Sequence, residues 1–161
     1  LAKGFGVDAL ARALDARGCA AYLVGIDGEL RAKGTKPDGS PFAVAVERPE
    51  VGLRAAMGVV TLQDCAVATS GDYRQRRDAR GARVSHTIDP ATGAPVAHAL
   101  ASVTVLAASA MAADAFATAL MTRGPARGPE MARDLGLDAL FLIRAAEGLS
   151  ACGVGRFAAA A

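Results

Sequence analysis

Ala20-Ala21-Tyr22-Leu23-Val24-Gly25-Ile26-Asp27-Gly28-Glu29-Leu30-Arg31-Ala32-Lys33-Gly34 sets the class of the fold. Ala20 to Ile26 reads as a buried strand. Asp27-Gly28 is the dipeptide of a two-residue hairpin, whose central positions favour positive φ. Glu29 to Gly34 then returns as a second strand, antiparallel to the first. The same grammar recurs downstream. Pro37-Asp38-Gly39 is a turn signal. Phe42-Ala43-Val44-Ala45-Val46-Glu47 is a third strand, ended by Arg48-Pro49. In Val51 to Leu62, Val59-Val60-Thr61-Leu62 favours strand, and Gly52 and Gly58 argue against helix. Cys65 to Ser70 is a short strand, with a bend beginning at Gly71. An Arg-rich hairpin tip returns through Val84 to Ile88, and Pro90 with Thr92-Gly93 forces a turn. Pro95 forbids a central strand there. Leu100 to Leu106 is the next strand. Ala139 to Arg144 and Leu149 to Phe157 pair around Glu147-Gly148.

Three helices are expected. Val7, Leu10, Ala11 and Leu14 fall at i, i+3, i+4 and i+7, which is one helix face. Gly18 stands where a glycine would close that helix. Met111 to Arg123 is helical by its Ala content and by the spacing of Met111, Ala115, Phe116 and Leu120, with Ser109 as N-cap. Gly124-Pro125 ends it, and Glu130 to Gly136 forms another short helix, with Pro129 in its first turn. About eight to nine strands joined mostly by hairpins, plus three helices, make an α+β protein with a mainly antiparallel sheet.

The chain has 161 residues, 52% hydrophobic and 21% charged, so one globular domain over 1–161 is the default. Aromatics are 4% with no Trp, and the net charge is +2. That is too little stacking surface and too mild a charge for a nucleic-acid partner. The local basic patch, Arg74, Arg76, Arg77, Arg80 and Arg83, reads as a solvated hairpin tip, with a phosphate- or partner-facing role as the alternative. Cys19, Cys65 and Cys152 are odd in number, widely spaced and without a CxxC, which argues against a disulfide framework or a thiolate zinc site. No apolar run reaches the roughly 18–20 residues of a membrane span. Leu1-Ala2-Lys3-Gly4 is no signal peptide and lacks an initiator Met, so the chain is expected to begin inside a longer protein.

The polar residues gather in Val84 to Thr118. Asp114 and Thr118 stand one helical turn apart on one face. A carboxylate and a hydroxyl there suit a hard cation such as Mg²⁺; the alternative is a capping or backbone-bonding role. His86 and Asp89 bracket a strand-to-turn transition, and His is the side chain best suited to proton transfer near neutral pH. His98 lies in a Pro/Ala-rich loop, exposed or bonded locally. Thr69-Ser70-Gly71-Asp72-Tyr73 offers hydroxyls and backbone amides for an anion nest, or a hydrogen-bonded turn. Gly25 to Glu29 is a close backbone approach to a ligand or a simple hairpin. Walker A, GxSxG, HExxH and post-strand GxGxxG motifs are absent.

Taken in order, Ala2-Lys3-Gly4-Phe5-Gly6-Val7-Asp8, Tyr22-Leu23-Val24 to Gly28-Glu29-Leu30, Ala68-Thr69-Ser70-Gly71-Asp72-Tyr73-Arg74, Ser85-His86-Thr87-Ile88-Asp89-Pro90 with Thr92-Gly93, Ser102-Val103-Thr104-Val105, and Ala113-Asp114 to Thr118 resemble the FAD:protein FMN transferase (ApbE) family. The match runs over essentially the whole chain and corresponds to the C-terminal portion of such a protein, with the N-terminal half absent. The resemblance implies a tunnelling-fold type of architecture, an antiparallel sheet with helices on one side. It implies Mg²⁺-dependent transfer of FMN from FAD to a Thr hydroxyl of an acceptor protein, with release of AMP. Hydrolysis of FAD to FMN and AMP, and non-catalytic flavin binding, are the alternatives. By position, Asp114 and Thr118 match metal ligands, Lys3 and Ile88 match FAD contacts, and His86 matches the candidate catalytic residue. Asp89 is a second candidate proton acceptor. Gly28, Ser70 and Gly71 are expected beside the flavin nucleotide. The family usually carries Gly-Gly where Asp27-Gly28 stand. The expected compartment is the bacterial periplasm, through a lipoprotein anchor outside this chain, with the cytoplasm as alternative.

Overall fold

The computed structural model describes residues 1–50, 52, 55–72, 76–79 and 82–160, with 76–79, 82–84 and 160 described by their backbone. Tyr73, Arg74 and Arg80, part of the 51–62 segment and the side chains of Arg76, Arg77 and Arg83 lie outside the described residues.

The elements run α1 Ala2–Asp15, β1 Tyr22–Ile26, β2 Glu29–Lys33, β3 Phe42–Glu47, β4 Ala56–Leu62, β5 Ala66–Gly71, β6 Arg76–Ala79, β7 Ala82–Ser85, β8 Leu100–Ala107, α2 Ala110–Asp134, β9 Asp138–Ala145 and β10 Gly148–Val154. A 3-10 helix, Gly155–Ala160, follows. One sheet has the strand order β1-β2-β5-β8-β9-β10; β3-β4 and β6-β7 form two-stranded ribbons. The β1-β2, β2-β5, β3-β4, β6-β7 and β9-β10 pairings are antiparallel. The class is α+β, as the hairpin signals indicate. In the deciding stretch Ile26 pairs with Glu29, and Asp27 (φ 48°) and Gly28 (φ 105°) form the turn. Among the described residues, no helix is long and apolar enough to cross a membrane.

By compactness the chain divides into two units. The first comprises Leu1–Arg48, Arg54–Thr69 and Val105–Phe116. Its core joins Val7 of α1, Ala66 of β5 and Ala110 of α2, with Val24 of β1 packed against them. The inward face of α1 is Gly4, Val7, Asp8 and Ala11. It is rotated from the expected Val7-Leu10-Ala11-Leu14 face, and Leu10 is exposed. The helix also starts earlier and takes in Gly4-Phe5-Gly6. A Cβ on Gly4 would stand 2.7 Å from Met111 Cα and nearer still to the Ala110 carbonyl oxygen. Glycine is therefore what lets α1 reach the start of α2, and its lack of a side chain hides it from an apolar pattern. Gly18 (φ 74°) closes α1 as expected: its N–H donates to the Asp15 carbonyl, and that of Cys19 to Leu14, the Schellman arrangement.

The second unit comprises Pro49–Leu53, Ser70–Thr104 and Ala117–Ala161. Leu100 to Thr104 of β8 are buried, and the β9 core is Ala139 to Leu142. The expected break at Gly124-Pro125 is present: Gly124 (φ 74°, ψ −176°) is non-helical and separates the two helical segments that together run as α2. That conformation is open essentially to glycine alone. Pro125, and not Pro129, therefore takes the first-turn position of the second segment. The last strand ends at Val154, short of Phe157, because Gly155 (φ 63°) turns the chain and Arg156 N–H donates to Asp138 Oδ1 at 2.8 Å.

Candidate active site

Two helix starts in the first unit satisfy one another. The first four N–H groups of a helix lack partners within it. In α2, Ala112 N–H donates to Ser109 Oγ at 3.2 Å and Ala113 N–H to the Ser109 carbonyl at 3.0 Å, so Ser109 is the expected N-cap. The Ala110 and Met111 amides, also in the first turn, donate to Asp8 Oδ1 and Oδ2, both at 3.0 Å. Arg31 of β2 donates to Asp8 Oδ1 at 2.6 Å. Burial works to push the Asp8 carboxyl up, but the Met111 and Ala110 amides and Arg31 outweigh it and hold it below the usual carboxylate range.

Asp114 does the converse for α1. Its Oδ2 accepts from Gly4 N–H at 3.1 Å and lies 2.8 Å from the Leu1 backbone nitrogen. The capping alternative raised by the sequence is thus realised, on a different helix from the one that carries the residue. Lys3, in the same first turn, places Nζ 2.9 Å from Glu29 Oε1 and 3.7 Å from Asp27 Oδ2. Burial lowers its affinity for a proton, but Glu29, Asp27 and Asp114 together hold its ammonium above the usual lysine range. The Glu29 side chain is 4% exposed, and its Oε2 is buried without a hydrogen-bond partner among the described residues. Gly28 serves the hairpin turn, with open space where a Cβ would stand.

In the second unit, the Ser70 and Thr118 hydroxyls are 3.1 Å apart. Ser70 and Gly71 end strand β5, so the bend expected at Gly71 starts one residue later, at Asp72. Beyond it, Asp72 is buried and receives two bonds from the Arg144 guanidinium, while its N–H donates to the Ala101 carbonyl at 3.2 Å. His86 is exposed just after β7, and Ile88 is 49% exposed. Asp89 shapes the following turn: its Oδ1 accepts from Ala91 N–H at 2.9 Å and its carbonyl from Gly93 N–H at 2.8 Å. Ile88 bridges to Pro95 across that turn. One Asp89 carboxylate oxygen is thus bonded to the backbone.

His98 is neither exposed nor bonded locally. Its Nε2 is 2.8 Å from the Met121 carbonyl oxygen, 23 residues away. In an unbroken helix that carbonyl would accept from residue 125, which is proline and has no N–H. The imidazole Nε2–H takes that place, and a Cβ on Gly124 would stand 3.0 Å from the ring.

Asp114 and Thr118 are both hard oxygen donors, the type Mg²⁺ takes, at positions i and i+4 of α2. Among the described residues, no group of three or more His, Cys, Asp or Glu side chains is placed to hold a metal ion. A cation at α2 would therefore use one carboxylate, a hydroxyl and further oxygens. Sequence reasoning assigned no side-chain role to Asp8 or Arg31, and named Glu29 only within the Gly25-to-Glu29 hairpin. The available signal for Asp8 was a carboxylate beside Val7 on a helix of otherwise small and apolar inward residues.

The ApbE family model matches residues 1–141. The chain is 43% identical over 148 residues to the FAD:protein FMN transferase of Vibrio cholerae, covering 92% of this chain and 44% of that protein. It is 40% identical over 141 residues to the FAD:protein FMN transferase of Escherichia coli K12, covering 88% and 40%. The flavinyl transferase ApbE of Pseudomonas stutzeri superposes with a TM-score of 0.83 at 42% identity, over 97% of this chain and 48% of that one. The apbe protein of Thermotoga maritima does so with 0.83 at 31% identity, over 97% and 50%. The chain thus spans a little under half the length of these curated relatives. A match over most of the chain in sequence, and nearly all of it in backbone, means that this chain belongs to the ApbE family.

Proposed function

We propose that this chain forms part of a flavin transferase that moves FMN from FAD to a threonine hydroxyl of an acceptor protein and releases AMP. The observation that carries the reading is the 43% identity, over 92% of the chain, to a protein named FAD:protein FMN transferase. In the reaction, the threonine oxygen forms a bond to the phosphorus on the FMN side of the pyrophosphate. The bond from that phosphorus to the bridging oxygen breaks, and AMP leaves with that oxygen. The threonine proton passes to His86, whose exposed imidazole suits the task. Lys3, held at Glu29, would offer positive charge to a phosphate, and Ile88 would offer an exposed apolar surface for a ring.

Asp114 and Thr118 would hold Mg²⁺. When bound, the ion supplies neutralisation of phosphate charge during the transfer. The experiment is incubation of the full-length protein with FAD, Mg²⁺ and an acceptor bearing the target threonine. Flavinylated acceptor plus AMP is expected; free FMN and AMP without flavinylated acceptor would replace the transferase reading with FAD hydrolysis. Asp114→Asn should weaken the Mg²⁺ dependence while the circular-dichroism spectrum stays native, and an unchanged dependence would refute that ligand.

A further inference from the structure

The two helix starts are built as a reciprocal pair. In α1, Gly4 gives its N–H and Asp8, four residues on, gives its carboxylate. In α2, Ala110 gives its N–H and Asp114, four residues on, gives its carboxylate. Gly4 N–H donates to Asp114 at 3.1 Å, and Ala110 N–H donates to Asp8 at 3.0 Å. Position i+4 lies on the same helix face as position i, one turn along. Each helix therefore presents a donor and an acceptor on one face, and each pair closes the other. The contact is close enough that Gly4 leaves no room for a Cβ. Arg31 steadies the Asp8 side from β2.

We propose that Asp8 is a positioning residue for Asp114. By gripping the Ala110 and Met111 amides it fixes the height and rotation of the first turn of α2. Asp114 projects from the next turn of the same helix, so the carboxylate is aimed before any cation arrives. This inference rests on the reading of Asp114 as a cation ligand. Asparagine at position 8 keeps the size but offers one acceptor oxygen and turns an NH₂ toward the other amide. It also removes the charge that Arg31 faces.

The test is calorimetric titration of the full chain and of Asp8→Asn, Arg31→Met and Asp114→Asn with Mn²⁺, a spectroscopically useful stand-in for Mg²⁺, alongside the melting temperature and the FAD KM. A core variant, Leu142→Ala, serves as a match for lost stability. Asp8→Asn should weaken Mn²⁺ binding by about tenfold or more, the scale seen when a residue supporting a ligand is removed, with FAD KM nearly unchanged. Arg31→Met should weaken it less, and it covers the case in which Asp8→Asn does not fold. Leu142→Ala should lower the melting temperature and leave Mn²⁺ affinity as it was. If Asp114→Asn weakens Mn²⁺ binding while both Asp8→Asn and Arg31→Met shift only the melting temperature, the positioning role is overturned and the ligand stands. If Asp114→Asn leaves Mn²⁺ binding unchanged, the ligand reading falls and this inference with it.

Discussion

Gly4→Ala should destabilise the protein, although alanine is the better helix former. An added Cβ would sit 2.7 Å from Met111 Cα, where carbon atoms prefer about 3.5–4.0 Å. The first turns of α1 and α2 must separate by about 1 Å to relieve it. At least one of the amide bonds from Ala110 and Met111 to Asp8, both now 3.0 Å, would stretch toward about 4 Å and cease to be a hydrogen bond. Overpacking costs about 1–3 kcal/mol, and loss of one such charged bond about 1.5–3 kcal/mol. The helix-propensity gain offsets only about 1 kcal/mol. The net loss is on the order of 2–5 kcal/mol, a large share of the ~5–15 kcal/mol of a typical domain. Gly6→Ala in the same helix is the control, because its Cβ meets only the tip of Ile26, at 2.9 Å. That side chain can turn, so the change should stay within about 1 kcal/mol of neutral. Urea melts followed by helical circular dichroism would measure both. A Gly4→Ala protein as stable as wild type, or an equal loss in Gly6→Ala, would refute the close helix approach.

Gly124→Ala should cost about 1–3 kcal/mol for backbone strain at φ 74°, ψ −176°, read in the same melts. Arg144→Met removes both guanidinium bonds from Asp72 and should cost about 1–3 kcal/mol; a double-mutant cycle with Asp72→Asn should show strong coupling between the two positions. The Asp8 carboxyl is held below its ordinary range by its amide and Arg31 bonds, against its burial. Its stabilising contribution is therefore complete above the ordinary carboxylate pKa and is lost as pH falls through the folded value. Melting temperature should drop on acidification below about pH 4, less steeply in Asp8→Asn. Lys3 has the opposite sign: its contribution is complete below the ordinary lysine pKa and disappears as pH rises through the higher folded value, so Lys3→Met should flatten the stability profile above about pH 10.

The hairpins were legible because Asp27-Gly28 and its flanking strands are a local code: two residues set the turn and its register. The start of α2 was legible for the same reason, since Ser109 caps its own helix. What escaped was encoded between distant segments. The face of α1 was misjudged because its inward positions are a glycine and an aspartate, chosen for contact with residues 110 and 111. The role of His98 depends on a carbonyl that Pro125 leaves without a donor, a relation with no periodicity to reveal it. The overlong last strand came from Phe157, which is buried and extends the apolar pattern past the turn at Gly155. Within the site, the His86-to-Asp89 turn and the Asp114/Thr118 spacing stood out from residue chemistry. Lys3 acquired a physical context only when Glu29 was found beside it.

The most direct test of the proposed activity is mass spectrometry of a threonine-bearing acceptor after incubation with the full-length protein, FAD and Mg²⁺, run beside Asp114→Asn and His86→Ala. A covalent FMN phosphoester on the threonine and stoichiometric AMP are expected, with both strongly reduced in the two variants. An unmodified acceptor, or full flavinylation by the Asp114→Asn protein, would contradict it.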